Sequence, residues 1–296
     1  MAFPGATALT LLDVYDWIAP DGLRGGSAHM HLASAEGYLV LDGTGQLQTL
    51  GACGYAESEL SPGDCLWFTP GIIHRLVNGG GLRLMVIMSN AGLPEAGDAV
   101  LTFPPQILAD PAEYARAAAI PAAGGLAQTA ARRRRDLAIQ GYLALREEVA
   151  ADGPGALDEF YTAAVRLVSG LVPRWREAWQ AGPVDVTTRT RRHLDQIAAG
   201  AAGHLAAGRL ERIARPAGPR SYGMCGMLTR YDTATRNDTG GDRLPLAPPH
   251  LALTVSQPLI APTMPPTSLR WANMKMASAG TIDRAVKAKT RAVSWV

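Results

Sequence analysis

Cysteine is scarce in this chain: Cys53, Cys65 and Cys225 are the only three. An odd number without metal-type spacing implies neither a disulfide framework nor a zinc knuckle. Aromatic residues make up 6% of the sequence, too few for platforms on which bases stack. Charge of one sign is also lacking. The formal net charge is +2, so no strong field invites nucleic acid. No apolar run reaches the roughly 18 residues of a membrane-spanning helix. The first residues, through Trp17, have no basic start and meet acids early, unlike a signal peptide. These absences predict a cytoplasmic protein that binds neither nucleic acid nor membrane. Hydrophobic residues are plentiful at 47%, enough for a substantial core.

The texture changes near residue 105. Before it, short apolar runs such as Glu36–Asp42, Cys65–Phe68 and Leu82–Met88 alternate with glycine-rich turns such as Gly43-Thr44-Gly45. That rhythm predicts an antiparallel barrel or sandwich over residues 1–105. After Phe103-Pro104-Pro105 the period becomes helical. Asp110 followed by Pro111 reads as an N-cap with proline at the first helical position. Helices are expected over about 126–150, through a stripe from Leu157 to Leu171, over a short segment with Trp175 and Trp179, and over 186–199 and 204–213. Residues 106–213 thus form a helical subdomain expected to pack on the barrel, with the barrel mouth as one place for it to lie. From 214 to 296 prolines recur and neither period holds, which predicts an irregular tail. Within it, the small residues of Tyr222–Gly226 should let Ser221–Leu228 lie as a strand at the sheet edge.

His29-Met30-His31 carries the chemistry. Residues i and i+2 of a strand face the same way, so the two imidazoles form half of a metal site. A turn through Leu32–Ala35 can bring Glu36 onto the next strand facing them. His74, just after the turn residues Pro70-Gly71, is the candidate fourth donor. Three imidazoles and one carboxylate suit iron, manganese, nickel, cobalt or zinc.

These residues resemble the cupin superfamily. Its first motif, G-x5-H-x-H-x3,4-E-x6-G, is met from His29 through His31 and Glu36 to Gly43, with Leu23 at the place of the leading glycine. Its second, G-x5-P-x-G-x2-H-x3-N, is met by Gly63, Gly71, His74 and Asn78, with Pro70 displaced by one. The resemblance covers residues 8–103. It implies a double-stranded β-helix (jelly-roll) barrel and assigns His29, His31, Glu36 and His74 as ligands of one divalent ion, iron before manganese, nickel, cobalt or zinc. The expected fold class is therefore a mainly β N-terminal cupin with an α-helical C-terminal region.

Alternation then predicts which side chains line the interior: Tyr38 and Val40 with Glu36, and Leu76 and Asn78 with His74. Tyr38 is the candidate proton donor. A divalent ion with one carboxylate leaves a net positive site, which favours a small anionic or chelating substrate. Dioxygenase chemistry leads among the functions. A redox-neutral isomerase, epimerase or lyase is the alternative, weakened by the lack of any lysine in the barrel region. A ligand-binding or regulatory module without catalysis is the third, and a homodimer fits any of them. Arg132–Arg135 reads as a solvated helix face, Cys65 as barrel core, Trp175 and Trp179 as packing, Arg24 as a group at the mouth, and Arg75 as pointing away from it. His193 and His204 lack carboxylates at ligand spacing and are not expected to bind metal.

Overall fold

The structure, a computed structural model, describes residues 2–121 and 126–233. The expected tail beyond Thr233 lies outside the described residues. Among these residues nine strands form one antiparallel sheet: β1 Ala8–Val14, β2 His29–His31, β3 Glu36–Gly51, β4 Gly54–Leu60, β5 Cys65–Phe68, β6 Ile73–Met88, β7 Ala99–Leu101, β8 Ser221–Tyr222 and β9 Gly226–Arg230. The two long strands, β3 and β6, pair along nearly their whole length, from Glu36 opposite Met88 to Leu50 opposite Ile73. Their register slips repeatedly between Val40 and Gly45, and such bulges bend a sheet. At the bend Gly43 has φ +72°, and a Cβ there would lie 2.3 Å from the backbone of Gly81, so only glycine fits.

The bend folds the sheet over itself. One half holds β4, the second part of β3, the first part of β6, β2 and β7. The other holds β5, the first part of β3, the second part of β6, β1, β9 and β8. Among the described residues the hydrogen-bond ladder does not close into a ring. Between the halves sits an apolar core that includes Tyr38, Val40, Leu76, Leu84 and Val86.

Among the described residues six α-helices follow: α1 Pro105–Leu108, α2 Pro111–Ala118, α3 Leu126–Asp152, α4 Leu157–Val168, α5 Val172–Trp179 and α6 Asp185–Ala198. Asp110 caps α2 as expected, accepting from the amides of Ala112 and Glu113. The helices lie on the outer face of the half-sheet that carries the histidines. Met30, Leu50, Ile73 and Val100 face outward there and join Ile139, Tyr142, Phe160 and Trp175 in a second core. Each such side chain contributes about 1.5–3 kcal/mol when fully buried, so this half-sheet is covered on both faces, by the helices outside and by the other half-sheet inside. Contact is close: a Cβ on Gly141 would lie 2.1 Å from the Thr102 carbonyl oxygen. The hydroxyl of Tyr161 donates to Gly71 O at 3.1 Å, and the indole of Trp175 to Ala96 O at 3.1 Å. No described helix is long and apolar enough to cross a membrane.

Three expectations need correction. The segment with Trp175 and Trp179, expected to be separate from the helix over 186–199, instead runs on into it through a π-helical turn, Gln180–Val184, a form whose wider turn suits a proline lacking its N–H. The segment expected as a helix over 204–213 holds only a short 3-10 turn, Gly203–Ala207. The arginine run is not a solvated face. Four consecutive residues point around a helix, and Arg135 points inward, 1% exposed, alongside Ala131, Ala138, Ile139 and Tyr142. Its guanidinium donates to the carbonyls of Trp17 at 2.7 Å, Gly25 at 3.2 Å and Ile18 at 2.8 Å. Arg134 reaches Gly223 O at 2.6 Å, and Arg132 lies over the Trp17 ring at 4.2 Å. The loop between β1 and β2 has few ladder partners, and this helix supplies its donors.

Candidate metal centre

His29 and His31 flank outward-facing Met30 on β2, and their rings point between the two halves of the sheet. His74 lies directly across from His29 in the β2–β6 ladder. Glu36 opens β3 in the opposite half, opposite Phe68 and Met88. The bent sheet therefore brings three imidazoles from one layer against one carboxylate from the other. One ligand atom from each residue lies within 4.8 Å of all the others, and all four residues are buried.

Hydrogen bonding fixes what these atoms can do. His29 Nδ1 lies 3.2 Å from Ser27 O and His74 Nδ1 lies 3.1 Å from Ile72 O. A carbonyl can only accept, so each Nδ1 carries a proton, and in the neutral ring Nε2 is the atom left to bind an ion. Those two Nε2 atoms face each other at 3.2 Å. Glu36 Oε2, also acceptor-only when ionised, lies 3.0 Å from His74 Nε2 and 3.2 Å from His31 Nε2 and has no hydrogen-bond donor. Several lone pairs aimed at one buried point repel unless a cation lies among them. Ligands about 2.1 Å from a metal and about 90° apart would themselves be about 3.0 Å apart, which matches the spacing here. The donor set thus fits one divalent ion.

Without an ion, protonation balances the cluster. Burial, with His74 and His31 nearby, holds His29 well below the usual imidazole range. Burial works against the charged form of His31 as well, but the adjacent Glu36 carboxylate, with Asp98 behind, outweighs it and raises its pKa. Burial opposes ionisation of Glu36, and the imidazoles of His74 and His31 overcome it, so its pKa is well below the usual carboxylate range.

The other expected residues are placed as follows. Tyr38 and Val40 face the interior on β3, and Leu76 on β6; all three are buried. The Tyr38 hydroxyl has no hydrogen-bond partner. Burial and the nearby Glu36 charge push its pKa well above 10, so it keeps its proton. Asn78 sits at the sheet bend, where its amide donates to Val14 O at 2.9 Å and accepts from the amides of Gly80 and Leu82. Arg24 is exposed. Arg75 points away from His74 but is fully buried, held by Asp21 through contacts of 2.5 and 3.1 Å. Cys65, expected in the core, is exposed, because its strand directs the alternate residues inward. His193 and His204 stack on each other with centroids 4.7 Å apart, outside the cluster.

Two neighbours of the cluster were not legible beforehand. Cys225, from the chain beyond the helices, is buried with its sulfur 3.9 Å from His29 Nδ1. Asp98, just before β7, has its Oδ2 3.9 Å from His31 Nδ1. Neither belongs to a local motif, and only long-range strand pairing reveals them.

A family model described as a cupin domain matches residues 17–89. Solved structures that align include the capsular polysaccharide assembling protein CapF of Staphylococcus aureus, at 18% identity and TM-score 0.22, over 27% of this chain and 22% of that one. A Klebsiella pneumoniae protein with a double-stranded beta-helix domain aligns at 14% identity and TM-score 0.23, over 28% and 66%. A predicted oxalate decarboxylase of Thermotoga maritima aligns at 20% and 0.22, over 28% and 64%. The chain thus spans less than two-thirds of each of these relatives. No curated protein matches.

Proposed function

The N-terminal β-domain of this chain belongs to the cupin superfamily, and from that premise we propose that the protein is a metal-dependent enzyme of the dioxygenase type acting on a small anionic or chelating molecule. His29, His31, Glu36 and His74 would hold one divalent ion, iron foremost. The observation that carries this reading is the buried convergence of three imidazole Nε2 atoms and one carboxylate oxygen, with neighbouring pairs at 3.0–3.2 Å. When bound, iron supplies a redox centre and an electrophilic anchor for a chelating substrate.

The chain's own residues do the rest. Ser27 O and Ile72 O orient the His29 and His74 rings by holding their Nδ1 protons. Glu36 is the only carboxylate in the ligand set, so the loaded site keeps positive charge and favours an anion. Tyr38, with its proton firmly held and its hydroxyl free, offers a hydrogen bond to a polar substrate atom. Val40 and Leu76 belong to the buried apolar core between the two halves of the sheet, which keeps water from that side of the donors.

The test is oxygen uptake by the full chain reconstituted with iron(II), screened against small hydroxy acids, diketones and thiol acids. Substrate-dependent uptake that is absent in His31→Ala supports the reading. Turnover of a substrate without oxygen uptake, with manganese or zinc as effective as iron, would replace it with a redox-neutral isomerase or lyase.

A further inference from the structure

We propose that Asp98 is the positioning residue of this metal site, setting the tautomer and ring orientation of His31 so that its Nε2 is the metal donor. The inference rests on the metal reading above and adds a fifth residue to it, one that lies beyond the segment matched as a cupin domain.

Asp98 is fully buried. Its Oδ1 accepts from the amides of Leu32 at 3.0 Å and Ala33 at 2.7 Å, and its own carbonyl oxygen lies 3.2 Å from the Leu32 amide. These bonds hold the turn that joins His31 to Glu36, so one carboxylate braces the connection between two ligands. Strand pairing puts it there: His31 pairs with Ala99 in the β2–β7 ladder, and Asp98 immediately precedes Ala99. The remaining oxygen, Oδ2, has no hydrogen-bond partner, and neither does His31 Nδ1, its neighbour at 3.9 Å. Two buried orphans of complementary type face each other. A shift of about 1 Å brings them into hydrogen-bond range, and each gains the partner it lacks.

The chemistry follows from the donor inventory. A carboxylate oxygen can only accept, so it selects the Nδ1–H tautomer of His31 and leaves Nε2, the atom nearest Glu36, with a lone pair for the ion. His29 and His74 have the same arrangement through Ser27 O and Ile72 O. Asp98 therefore completes a pattern in which every imidazole of the site has an acceptor behind it. It also ties the site to the helical layer. Trp175 of α5 donates to Ala96 O, and Gly97 packs against Leu171.

The test is Zn(II) affinity of the full chain, measured by chelator competition, for wild type, Asp98→Asn and Asp98→Ala. Asn keeps an oxygen for the Leu32 and Ala33 amides but presents N–H toward His31 Nδ1, which disfavours the required tautomer. We expect Asp98→Asn to bind zinc 10–100-fold more weakly while its zinc-free melting temperature falls less than that of Asp98→Ala. Asp98→Ala should lose affinity and melting temperature together. A long-range 1H–15N imidazole spectrum of zinc-loaded wild type, which needs no variant to fold, should show His31 protonated at Nδ1 and metallated at Nε2. Equal affinity of Asp98→Asn and wild type, or zinc on His31 Nδ1, overturns the assignment of Asp98 alone. Wild type that binds no zinc overturns the metal reading and this inference with it.

Discussion

Replacing Arg135 with alanine should be among the most damaging single changes in the protein. The side chain is 1% exposed, and its guanidinium reaches three carbonyls of the loop that leads into His29: Trp17 at 2.7 Å, Ile18 at 2.8 Å and Gly25 at 3.2 Å. Its Nε also contacts Asp136 at 2.6 Å, but Asp136 is 38% exposed and solvates itself once released. The cost therefore comes from the carbonyls. Trp17 O also accepts from the Gly25 amide at 3.3 Å, so Ile18 O and Gly25 O are the acceptors that lose a donor, at about 1–3 kcal/mol each. The two share one side chain, so their costs overlap, for a total of about 2–4 kcal/mol. For a folded unit of this size that is a melting-temperature drop of roughly 10 °C. The assay is urea unfolding followed by circular dichroism, with the midpoint falling and the slope unchanged. Arg135→Lys should fall in between, because an ammonium cannot reproduce the planar fork. Arg133→Ala, on the exposed side of the same helix, should stay within about 0.5 kcal/mol of wild type. A loss below about 1 kcal/mol for Arg135→Ala would refute the view that this arginine anchors the loop.

Other consequences can be checked in the same way. Gly141→Ala improves helix propensity by about 1 kcal/mol yet puts a Cβ 2.1 Å from Thr102 O; the collision should win, with a net loss of about 1–3 kcal/mol by urea midpoint, and a gain would show that α3 can move off the sheet. Tyr38→Phe should leave the melting temperature unchanged or slightly raised, since the hydroxyl has no partner; a loss above about 2 kcal/mol would reveal a hydrogen bond there. Metal-free protein should be most stable near pH 6.5, as read from melting temperature against pH. Below that value the unfolded chain protonates His29 while the folded one does not, and below 4.5 the same holds for Glu36, so stability falls with acid. Above 6.5 the folded chain alone retains the His31 proton, and that contribution is lost as pH rises through its raised pKa. Loading the site with metal should remove the alkaline limb; a flat profile in the metal-free protein would contradict the charge balance described above.

Much of the β-domain was legible because its signals are local. The i, i+2 pair His29 and His31, the turn to Glu36, and the alternation through Tyr38 and Val40 depend on strand geometry alone. His74 required the second motif, whose spacing encodes the return strand. The rest depended on what lies across the fold. Arg135 looks like its three neighbouring arginines, and only the position of α3 over the β1–β2 loop distinguishes it. Asp98 and Cys225 reach the site through the partners β2 and β1 choose for pairing, separated in sequence by 67 and 196 residues from the histidines they face. Cys65 was misplaced because a four-residue strand gives no phase by itself: either alternate set can face inward, and packing chose Leu66 and Phe68.

Metal content tests the central claim most directly. Full-length protein purified without added metal should carry, by elemental analysis, about one equivalent of a transition metal per chain, and His31→Ala or Glu36→Gln prepared in parallel should carry almost none. Wild type that cannot be loaded, or variants that retain as much metal as wild type, would contradict the assignment of His29, His31, Glu36 and His74 as a metal centre.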